Sequence, residues 1–445
     1  MAIAAVAALF FCKAIFLAWW VTPLWEIPDE TGHFSYAREF VETGRIPVLG
    51  LSVIASDIES NVRGQRREKQ SSNYIAQHPP AYYVGAGLAW KAATYLTANP
   101  QWLFKAPRVM SALAGAMTLV VLYGLLVLAT GDRLSSLSAS VCVGCIPMFT
   151  HMSTGTNHDT TVTLFTAWAV FFWIRFLQGK QTSHAYLMAM WLSLACVTKM
   201  TVLVLVFPML FFVVIELAQP WRMKIVHMAG IACAALLLPG LWMLRAFHLH
   251  GNPFAVADGL AATAGRLDAS LLDYLSKTEA LDIFFTFFWG MFGFAGAYRD
   301  IILLRIGGWP LSFYSWMSFI LVFLAALMLA RQVVGNTKIS TAPGFSGHSS
   351  LIEMWYAWIK NFRFIERAPW IVLVAAVIMG AMAYQMIYSP SEARLLFFSF
   401  CVFLSVAATC VFVKLLTSEE RLACYSILTT AFFMLVFVWT IYNYY

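Results

Sequence analysis

Apolar runs long enough to cross a lipid bilayer recur along the whole sequence, and they constrain the fold more than any other feature. A transmembrane helix needs about 20 consecutive apolar residues to span the hydrocarbon core. Of the 445 residues, 61% are hydrophobic and only 11% are charged, whereas a soluble protein carries about 25% charged residues. The sequence therefore predicts an all-α polytopic membrane protein.

The apolar runs predict about eleven membrane spans. Their approximate bounds are 2–24, 108–130, 133–150, 158–178, 184–198, 200–217, 226–247, 311–331, 368–389, 395–416 and 422–444. The first run follows no basic segment and precedes no small-residue cleavage site, so we interpret it as a retained span and not a signal peptide. The further segment 81–97 is short and contains several Tyr and Trp residues, which favours a position along the membrane surface.

The basic residues indicate which loops face the cytoplasm. If 81–97 stays on the outer surface, the short basic loops and the loop 332–367 all face the cytoplasm, as the positive-inside rule requires. The short loops contain Arg133, Arg175, Lys180, Arg222, Lys224, Lys414 and Arg421. The net charge of +7 then reflects this bias and contact with anionic lipid, so no nucleic-acid partner is expected.

This topology divides the chain into three predicted parts. Residues 1–247 form an N-terminal transmembrane core that includes the outer loop 25–107, and residues 248–310 form a second outer loop. Residues 311–445 form C-terminal transmembrane helices with the cytoplasmic loop 332–367. Six of the nine histidines fall on the extracytoplasmic side, so polar chemistry is expected there. These six are His33, His78, His151, His158, His248 and His250.

An acidic pair, Asp29 and Glu30, follows the first span and opens a short helix that Gly44 and Pro47 should end. By their spacing, Phe34, Ala37 and Val41 share one face of that helix, which places it on the membrane surface. The carboxylates are either a helix cap with first-turn acids or functional groups held at the outer boundary. The spacing alone leaves both interpretations open.

Three further polar sites fall on the same side. His78 precedes a Pro pair that fixes its backbone, although a surface turn would have the same sequence. Asp159 opens a span and is either a cap or an outer carboxylate. Lys199 separates two short spans, so it should lie below the membrane surface, where a charge is tolerated beside a polar cavity or by snorkelling.

The order of these motifs resembles the GT-C superfamily of polyprenyl-phosphate-sugar glycosyltransferases, which includes protein O-mannosyltransferases and lipid A aminoarabinose transferases. The shared motifs are Pro-Asp-Glu-x-x-His-Phe-x-Tyr at residues 28–36, His-Pro-Pro-x-Tyr-Tyr at 78–83, the span start at Arg108, Asn-x-Asp159 and Thr-Lys199. Trp242-x-x-Arg245 and the late turn with Arg394 are similar to a poorly characterised bacterial branch. His78 matches the mannosyltransferase pattern and departs from the aminoarabinose transferases, which have Lys there.

The resemblance implies the roles of individual residues. Asp29 corresponds to the general base that activates an acceptor hydroxyl, with Glu30 and Asp159 as further catalytic candidates. Lys199, Arg245 and Arg394 supply cations for the phosphate of the lipid donor. The substrate-binding candidates also include His33, His78 and Tyr82. No metal-ligand motif is evident, and metal use stays open.

The predicted function is inverting transfer of a sugar from a polyprenyl-phosphate donor to a glycan, lipid or protein acceptor. The expected location is the bacterial inner membrane, with the active site facing the periplasm or exterior. Two other classes stay open, a transporter or flippase of lipid-linked glycans and a non-catalytic carrier-lipid binder. A transporter should have ionisable residues near the midplane of several spans and broken helices in two repeats, and the sequence has neither pattern clearly.

Overall fold

Helices form nearly all the regular structure of the residues that the structure describes. The computed structural model describes residues 2–27, 29–61 and 71–254. Its α-helices are α1 (Ala2–Phe16), α2 (Glu30–Thr43), α3 (Ser56–Asn61), α4 (Ala81–Thr94), α5 (Pro100–Lys105), α6 (Arg108–Thr130), α7 (Arg133–Cys145), α8 (Pro147–Ser153), α9 (Asp159–Gly179), α10 (Thr182–Cys196), α11 (Leu203–Glu216) and α12 (Trp221–His250). Within these ranges the β-structure is one isolated bridge, between Val53 and Ser72. The prediction of an all-α membrane protein is confirmed.

Four helical stretches in the described residues are long and apolar enough to cross a membrane. They are Ala2–Val21, Pro100–Thr130, Asp159–Gly179 and Trp221–His250. By contrast, α4 has 14 residues and a length of only about 21 Å, which is too short for a hydrocarbon core of about 30 Å. The predicted spans after residue 254, and with them the total of about eleven, lie outside the described residues.

The predicted span 133–150 is divided into two helices. The break falls at Ile146, whose ψ of 121° is extended, and α8 begins at the next residue, Pro147. A residue before proline is disfavoured in the helical region because its backbone would clash with the proline ring. The sequence pattern of continuous apolar residues concealed this break.

Spans that follow one another along the chain run in alternating directions, so α6 and α9 are parallel and their ends meet. At one end, the side chain of Arg108 at the start of α6 donates to the carbonyl of Ala18 after α1 (2.7 Å). At the other end, Gln178 near the end of α9 donates to the carbonyl of Leu128 near the end of α6 (3.0 Å). The buried core between α1, α6, α9, α10 and α12 is apolar and includes Leu122, Trp173, Met188 and Ala235.

Several buried polar groups inside this bundle bond to backbone carbonyls. Thr118 and Ser140 donate to the carbonyls four residues earlier, each at 2.8 Å, as hydroxyls in apolar helices commonly do. The ammonium of Lys13, in the middle of the first span, donates to the carbonyl of Gly144 (2.8 Å) and to Oγ1 of Thr150 (3.0 Å). The break between α7 and α8 therefore supplies the polar partners for this buried lysine.

Helices α2 and α4 pack closely against each other and carry most of the predicted site residues of the first loop. The rings of Tyr36 and Tyr83 stack across this contact with their centroids 3.8 Å apart. Gly44 ends α2 in the left-handed conformation, with its N–H bonded to the carbonyl of Phe40 at 2.9 Å. The predicted end of this helix at Gly44 is confirmed.

Candidate active site

Asp29 sits immediately before α2 in a conformation that leaves its carboxylate outside the helix cap. Its φ of 63° and ψ of 12° are left-handed, and its side chain makes no capping hydrogen bond. Left-handed conformations are uncommon for residues other than glycine and occur most often for Asn and Asp. The hydroxyl of Tyr74 donates to Oδ1 of Asp29. Of the two open interpretations, the structure excludes the helix cap for this carboxylate.

Glu30 is buried and bound on both carboxylate oxygens. Oε1 accepts hydrogen bonds from Nε of Arg108 (2.8 Å) and from the backbone N–H of Thr156 (2.9 Å). Oε2 accepts from Nη2 of Arg108 (2.8 Å) and from the backbone N–H of Trp25 (2.9 Å). Each oxygen of this carboxylate thus accepts two hydrogen bonds, and together these bonds join the start of α2 to the turn before α9. Glu30 therefore has a structural role.

Arg108 uses its whole guanidinium group at this junction. Its other donors reach the carbonyls of Ala18 (2.7 Å), Thr22 (3.0 Å) and Pro23 (2.7 Å). With the two bonds to Glu30, all five N–H donors of an arginine are satisfied, and the side chain is 0% exposed. Arg108 therefore fixes the end of the first span relative to α2.

Asp159 and Lys199 form a buried ion pair at the same end of the bundle. Asp159 is the first residue of α9, where a helix dipole favours a carboxylate, and Lys199 lies between α10 and α11. Their Oδ1 and Nζ atoms are 2.5 Å apart, and the Lys199 side chain is only 1% exposed. The capping hydrogen bond at this turn is accepted by the side chain of Asn157, from the backbone N–H of Asp159 (2.9 Å). The carboxylate of Asp159 is therefore not the cap.

His78 packs against the ring of His158 beside this ion pair, and burial keeps it neutral. Burial is the main cause that lowers its pKa to about 3, with further lowering from the Lys199 ammonium and from His33, while Asp29 acts in the opposite direction. At neutral pH, His78 offers one N–H donor and one acceptor, and no charge.

Three histidines and one tyrosine form a packed cluster beside these carboxylates. The ring centroid of His158 lies 4.8 Å from that of His33 and 4.6 Å from that of His78. The hydroxyl of Tyr83 lies 2.8 Å from Nδ1 of His33 and 3.3 Å from Nδ1 of His158. Burial is the main cause that raises the pKa of Tyr83 well above its usual range, so its hydroxyl stays protonated.

The structure thus brings together most of the predicted site residues that it describes, namely Asp29, Glu30, His33, His78, Asp159 and Lys199. Tyr82 lies on a different face of α4, where its hydroxyl contacts Oγ of Ser111 at 3.1 Å. Arg245 donates to the carbonyls of Ile46 (3.0 Å) and Pro47 (3.1 Å) and so holds the loop after α2. Arg394 lies outside the described residues.

Sequence reasoning missed three participants. Arg108 had been noted as the start of a shared span motif without a role, and its pairing with Glu30 joins residues far apart in sequence. The sequence predicts Tyr82 as a site residue and not its neighbour Tyr83, although helix periodicity places the two on different faces. Tyr74 belongs to no motif, so the sequence contained no signal for its bond to Asp29.

A metal-binding group is not evident in the part of the chain that the structure describes. No cluster of three or more His, Cys, Asp or Glu side chains in residues 2–27, 29–61 and 71–254 has the arrangement that could hold a metal ion. The side chains of this cluster in the described residues are carboxylates, imidazoles, a tyrosine and one buried ammonium.

Comparisons with known proteins give one family and several structures. The family model for dolichyl-phosphate-mannose-protein mannosyltransferases matches residues 78–243, which include His78, Asp159 and Lys199 but begin after Asp29. No curated protein sequence matches the chain.

The structural matches are distant. An oligosaccharyltransferase of Archaeoglobus fulgidus in complex with Zn and sulfate is 11% identical with a TM-score of 0.48, covering 98% of this chain and 52% of that one. The same archaeal enzyme, AglB, with an inhibitory peptide and dolichol-phosphate, is 13% identical with a TM-score of 0.46, covering 98% and 55%. ArnT from Cupriavidus metallidurans bound to undecaprenyl phosphate is 15% identical with a TM-score of 0.35, covering 92% and 76%. The chain spans about half the length of the archaeal enzyme.

The family match covers the shared motifs from the His-Pro-Pro turn through the Thr-Lys motif, whereas the Pro-Asp-Glu motif at residues 28–36, Arg245 and Arg394 lie outside it. The predicted resemblance to the glycosyltransferases of the GT-C superfamily is confirmed over residues 78–243.

Proposed function

We propose that this chain is a membrane glycosyltransferase that moves a sugar from a polyprenyl-phosphate donor to a hydroxyl of a glycan, lipid or protein acceptor. The observation that carries the proposal is the packed cluster in which His158 contacts the rings of His33 and His78, beside the Asp159–Lys199 ion pair and one turn from Asp29. A carboxylate and a buried ammonium at the same end of the helix bundle are the two charges that such a transfer requires. The match to a family of dolichyl-phosphate-mannose-dependent enzymes supports a lipid-linked donor.

The proposed chemistry assigns the proton to the carboxylate and the phosphate to the ammonium. Asp29 accepts the proton of the acceptor hydroxyl as its oxygen attacks the anomeric carbon, and the configuration at that carbon inverts. The bond from the anomeric carbon to the phosphate oxygen breaks, and both electrons leave with the lipid phosphate. Lys199 stabilises the charge that develops there.

The remaining residues of the cluster serve this geometry in different ways. Neutral His78 donates a hydrogen bond to an oxygen of the donor and adds no charge, which fits its lowered pKa of about 3. Asp159 holds Lys199 in place through their ion pair. Glu30 acts as a positioning group, because both of its oxygens are already bonded to Arg108 and to backbone N–H groups.

The proposed location is the extracytoplasmic face of a bacterial inner membrane. It rests on the predicted topology, which places the loop 25–107 and the turn before α9 on that side. A lipid-linked donor also fits this face, because nucleotide sugars stay in the cytoplasm and the sequence has no phosphate-binding glycine motif. Metal use remains outside the proposal.

The substitution Asp29→Asn tests the proposed general base. Asn tolerates the left-handed conformation of residue 29 and can still accept the hydrogen bond from Tyr74, so folding should be retained. An amide cannot take the proton of a hydroxyl, and sugar transfer should fall by about 10²–10⁴. The measurement is transfer of radiolabelled sugar from synthetic polyprenyl-phosphate donors to cell-envelope acceptors by purified protein.

The matched control is Asp57→Asn, which removes a carboxylate that pairs with Arg38 at the surface (2.7 Å) and should leave transfer near the wild-type rate. Normal turnover in Asp29→Asn would exclude this residue as the base. Movement of lipid-linked sugar across liposomes by the wild-type protein, without any transfer product, would instead identify a flippase.

A further inference from the structure

The hydroxyl of Tyr74 reaches the carboxylate of Asp29 from a segment that belongs to none of the shared motifs. It donates a hydrogen bond to Oδ1 of Asp29, and both residues are partly exposed. Glu30, the next residue, is buried, and its two carboxylate oxygens are bonded to Arg108 and to backbone N–H groups. Asp29 is therefore the acid of this pair that keeps contact with solvent, and a tyrosine hydroxyl holds one of its oxygens.

A buried asparagine holds the segment of Tyr74 against the first turn of α2. Tyr74 begins the 3₁₀ turn Tyr74–Gln77. The side chain of Asn73 caps this turn by accepting a hydrogen bond from the backbone N–H of Ile75 (3.1 Å). Its Nδ2 atom donates to the carbonyl of Gly32 on α2 (3.1 Å), and Asn73 is fully buried. Both ends of one amide therefore fix Tyr74 beside the start of α2.

The other end of the turn is bonded to the same helix. The hydroxyl of Tyr36 donates to the carbonyl of His78 (3.1 Å), and Tyr36 follows Gly32 by four residues, so the two attachments share one face of α2. A Cβ atom added at Gly32 would lie 2.6 Å from Cγ1 of Ile75 and 3.0 Å from Oδ1 of Asn73, so the close approach requires glycine. These contacts determine the position of the turn without any contribution from the carboxylate that it meets.

We propose that Tyr74 is a positioning residue that holds the Asp29 carboxylate by Oδ1 and keeps it ionised for its role as general base. The inference rests on the proposed function. A hydrogen bond donated to a carboxylate stabilises its charged form, and a general base must be in its unprotonated form to accept a proton. Tyr74 keeps its own hydrogen throughout, because the proton that Asp29 accepts comes from the acceptor hydroxyl.

The other titratable groups near this carboxylate do not depend on the Tyr74 hydroxyl. Burial lowers the pKa of His78 to about 3 and raises the pKa of Tyr83 well above its usual range, so both side chains are uncharged near neutral pH. Further charged or titratable groups at this end of the described bundle have contacts of their own or lie in the loop before residue 29. They are Glu30 with Arg108, Asp159 with Lys199, His33 and His158 with each other and with Tyr83, Lys105 and Arg245 with backbone carbonyls, and Glu26 in the loop.

The test compares Tyr74→Phe with Tyr186→Phe in the full-length protein. Both substitutions keep the aromatic ring and remove one hydroxyl, and Tyr186 lies 3.4 Å from Nδ1 of His227 at the other end of the bundle. The primary measurement is the titration of Asp29, followed by solid-state NMR of ¹³C-aspartate-labelled protein in lipid. The variant Asp29→Asn identifies the signal.

Asp29 should titrate about one to two pH units higher in Tyr74→Phe than in wild-type protein, the range for loss of one hydrogen bond to a charged group. The sign follows because the carboxylate loses a donor that stabilised its charge, so it takes up a proton at a higher pH. Tyr186→Phe should leave the titration unchanged. An Asp29 titration that is identical or lower in Tyr74→Phe would overturn the inference.

A second variant keeps the question open to refutation if Tyr74→Phe does not fold. Incorporation of 3-fluorotyrosine at position 74 retains the ring and the hydroxyl, and the fluorine makes the phenol a stronger hydrogen-bond donor. The titration of Asp29 should then move in the opposite direction, to lower pH. An unchanged or raised titration in folded fluorotyrosine protein would overturn the inference by itself.

The kinetic arm separates this inference from the proposed function. The acid limb of the pH profile of kcat/KM reports the base of the free enzyme, so in Tyr74→Phe it should move upward with the Asp29 titration, and kcat/KM below the limb should fall about tenfold for each pH unit of the shift. A limb that stays in place would overturn the link between Tyr74 and the base. Absence of any transfer by wild-type protein would contradict the proposed function, and the NMR titration would then still decide whether Tyr74 keeps Asp29 ionised.

Discussion

Single residues in this protein divide into those that hold the site and those that are available for chemistry, although sequence alone makes them look alike. Asp29 and Glu30 are adjacent acids, yet Glu30 is 2% exposed and bonded to Arg108 on both oxygens. A buried carboxylate is tolerated only when it is paired and fully hydrogen-bonded. Burial and pairing therefore assign Glu30 to structure and leave Asp29 as the candidate base.

The substitution Glu30→Gln should destabilise the protein strongly. It removes the charge that compensates the buried guanidinium of Arg108, and breaking a buried ion pair costs about 3–5 kcal/mol. Thermal unfolding in detergent should show a clear loss of stability, and transfer per folded molecule should fall less than in Asp29→Asn. The control Glu216→Gln breaks the partly exposed pair with Lys180, which is worth about 0–1 kcal/mol. Equal stability of the two variants would contradict the structural role of Glu30.

The substitution Lys199→Ala should weaken binding of the carrier lipid. It removes a buried cation expected to meet the donor phosphate, and a hydrogen bond to a charged group contributes about 1.5–3 kcal/mol, or roughly 10-fold to 100-fold in Kd. The sequence makes the same prediction for Arg394→Ala. Binding of fluorescent undecaprenyl phosphate to folded protein gives the measurement, with Lys180→Ala at the other end of the bundle as control. Unchanged affinity in both the Lys199 and the Arg394 variants would contradict the proposal that these cations bind the donor phosphate.

The sequence could predict which of these residues share a membrane face, but it could not predict their partners. Asp29, His78, Asp159 and Lys199 were placed on one side because the positive-inside rule assigns whole loops. The pairing of Glu30 with Arg108 joins residues 78 positions apart and depends on how the first span meets α6. No local pattern encodes that approach.

At the scale of elements, the close contact of α2 with α4 determines which tyrosine faces the histidines. A Cβ atom added at Gly87 would lie 2.5 Å from the carbonyl oxygen of Ala37 and would also collide with Cγ2 of Val41. Only glycine permits this approach, and it sets the rotation of α4 that directs Tyr83 toward His33 and Tyr82 toward Ser111. The sequence could not show which tyrosine faces the histidines, because this contact is tertiary.

The substitution Gly87→Ala should therefore separate α2 from α4. Overpacking a close contact costs about 1–3 kcal/mol, so the variant should unfold at a lower temperature and lose transfer activity. Gly85→Ala is a matched control on the same helix, because its added Cβ meets the flexible end of Met110 (2.7 Å to Cε), and alanine itself favours a helix. If both variants have the unfolding temperature and transfer activity of wild-type protein, the site does not depend on the close contact between α2 and α4.

Of the two helix breaks at Lys199 and Ile146, the sequence predicted only the first. The helix break at Lys199 was predicted because a charged residue separates two short apolar runs. The break at Ile146 was missed because Pro147 follows an uninterrupted apolar run, and only the ψ of 121° at Ile146 reveals it. That break frees the carbonyl of Gly144 for Lys13 (2.8 Å), so the buried lysine and the divided helix explain each other. Neither could be interpreted from the sequence without the other.

At the scale of the whole molecule, alternating helices give the two ends of the bundle different chemistry. The starts of α6 and α9 and the ends of α1 and α10 meet at the end that contains the carboxylates, histidines and Lys199. The opposite end contains the Lys180–Glu216 pair and the N-termini of α7, α10 and α12, near Arg133, His184 and Arg222. The sequence predicted this separation because successive spans must alternate in direction, and because the basic residues mark the loops on the cytoplasmic side.

This separation leads to a test of topology that is independent of catalysis. Reporter fusions at residues 60 and 280 should report an extracytoplasmic position, and fusions at 181 and 345 a cytoplasmic one. Residue 181 lies in the turn between α9 and α10, and residues 280 and 345 lie in predicted loops outside the described residues. The physical reason is that short basic loops stay in the cytoplasm, and Arg133, Arg175 and Lys180 occupy the same end as residue 181.

Paired alkaline phosphatase and green fluorescent protein fusions at each position provide matched readouts, since each reporter is active on one side. A cytoplasmic signal at 60 together with an extracytoplasmic signal at 181 would invert the bundle and place Asp29 and Lys199 on the side of nucleotide sugars. That result would contradict the lipid-linked donor even if sugar transfer were observed.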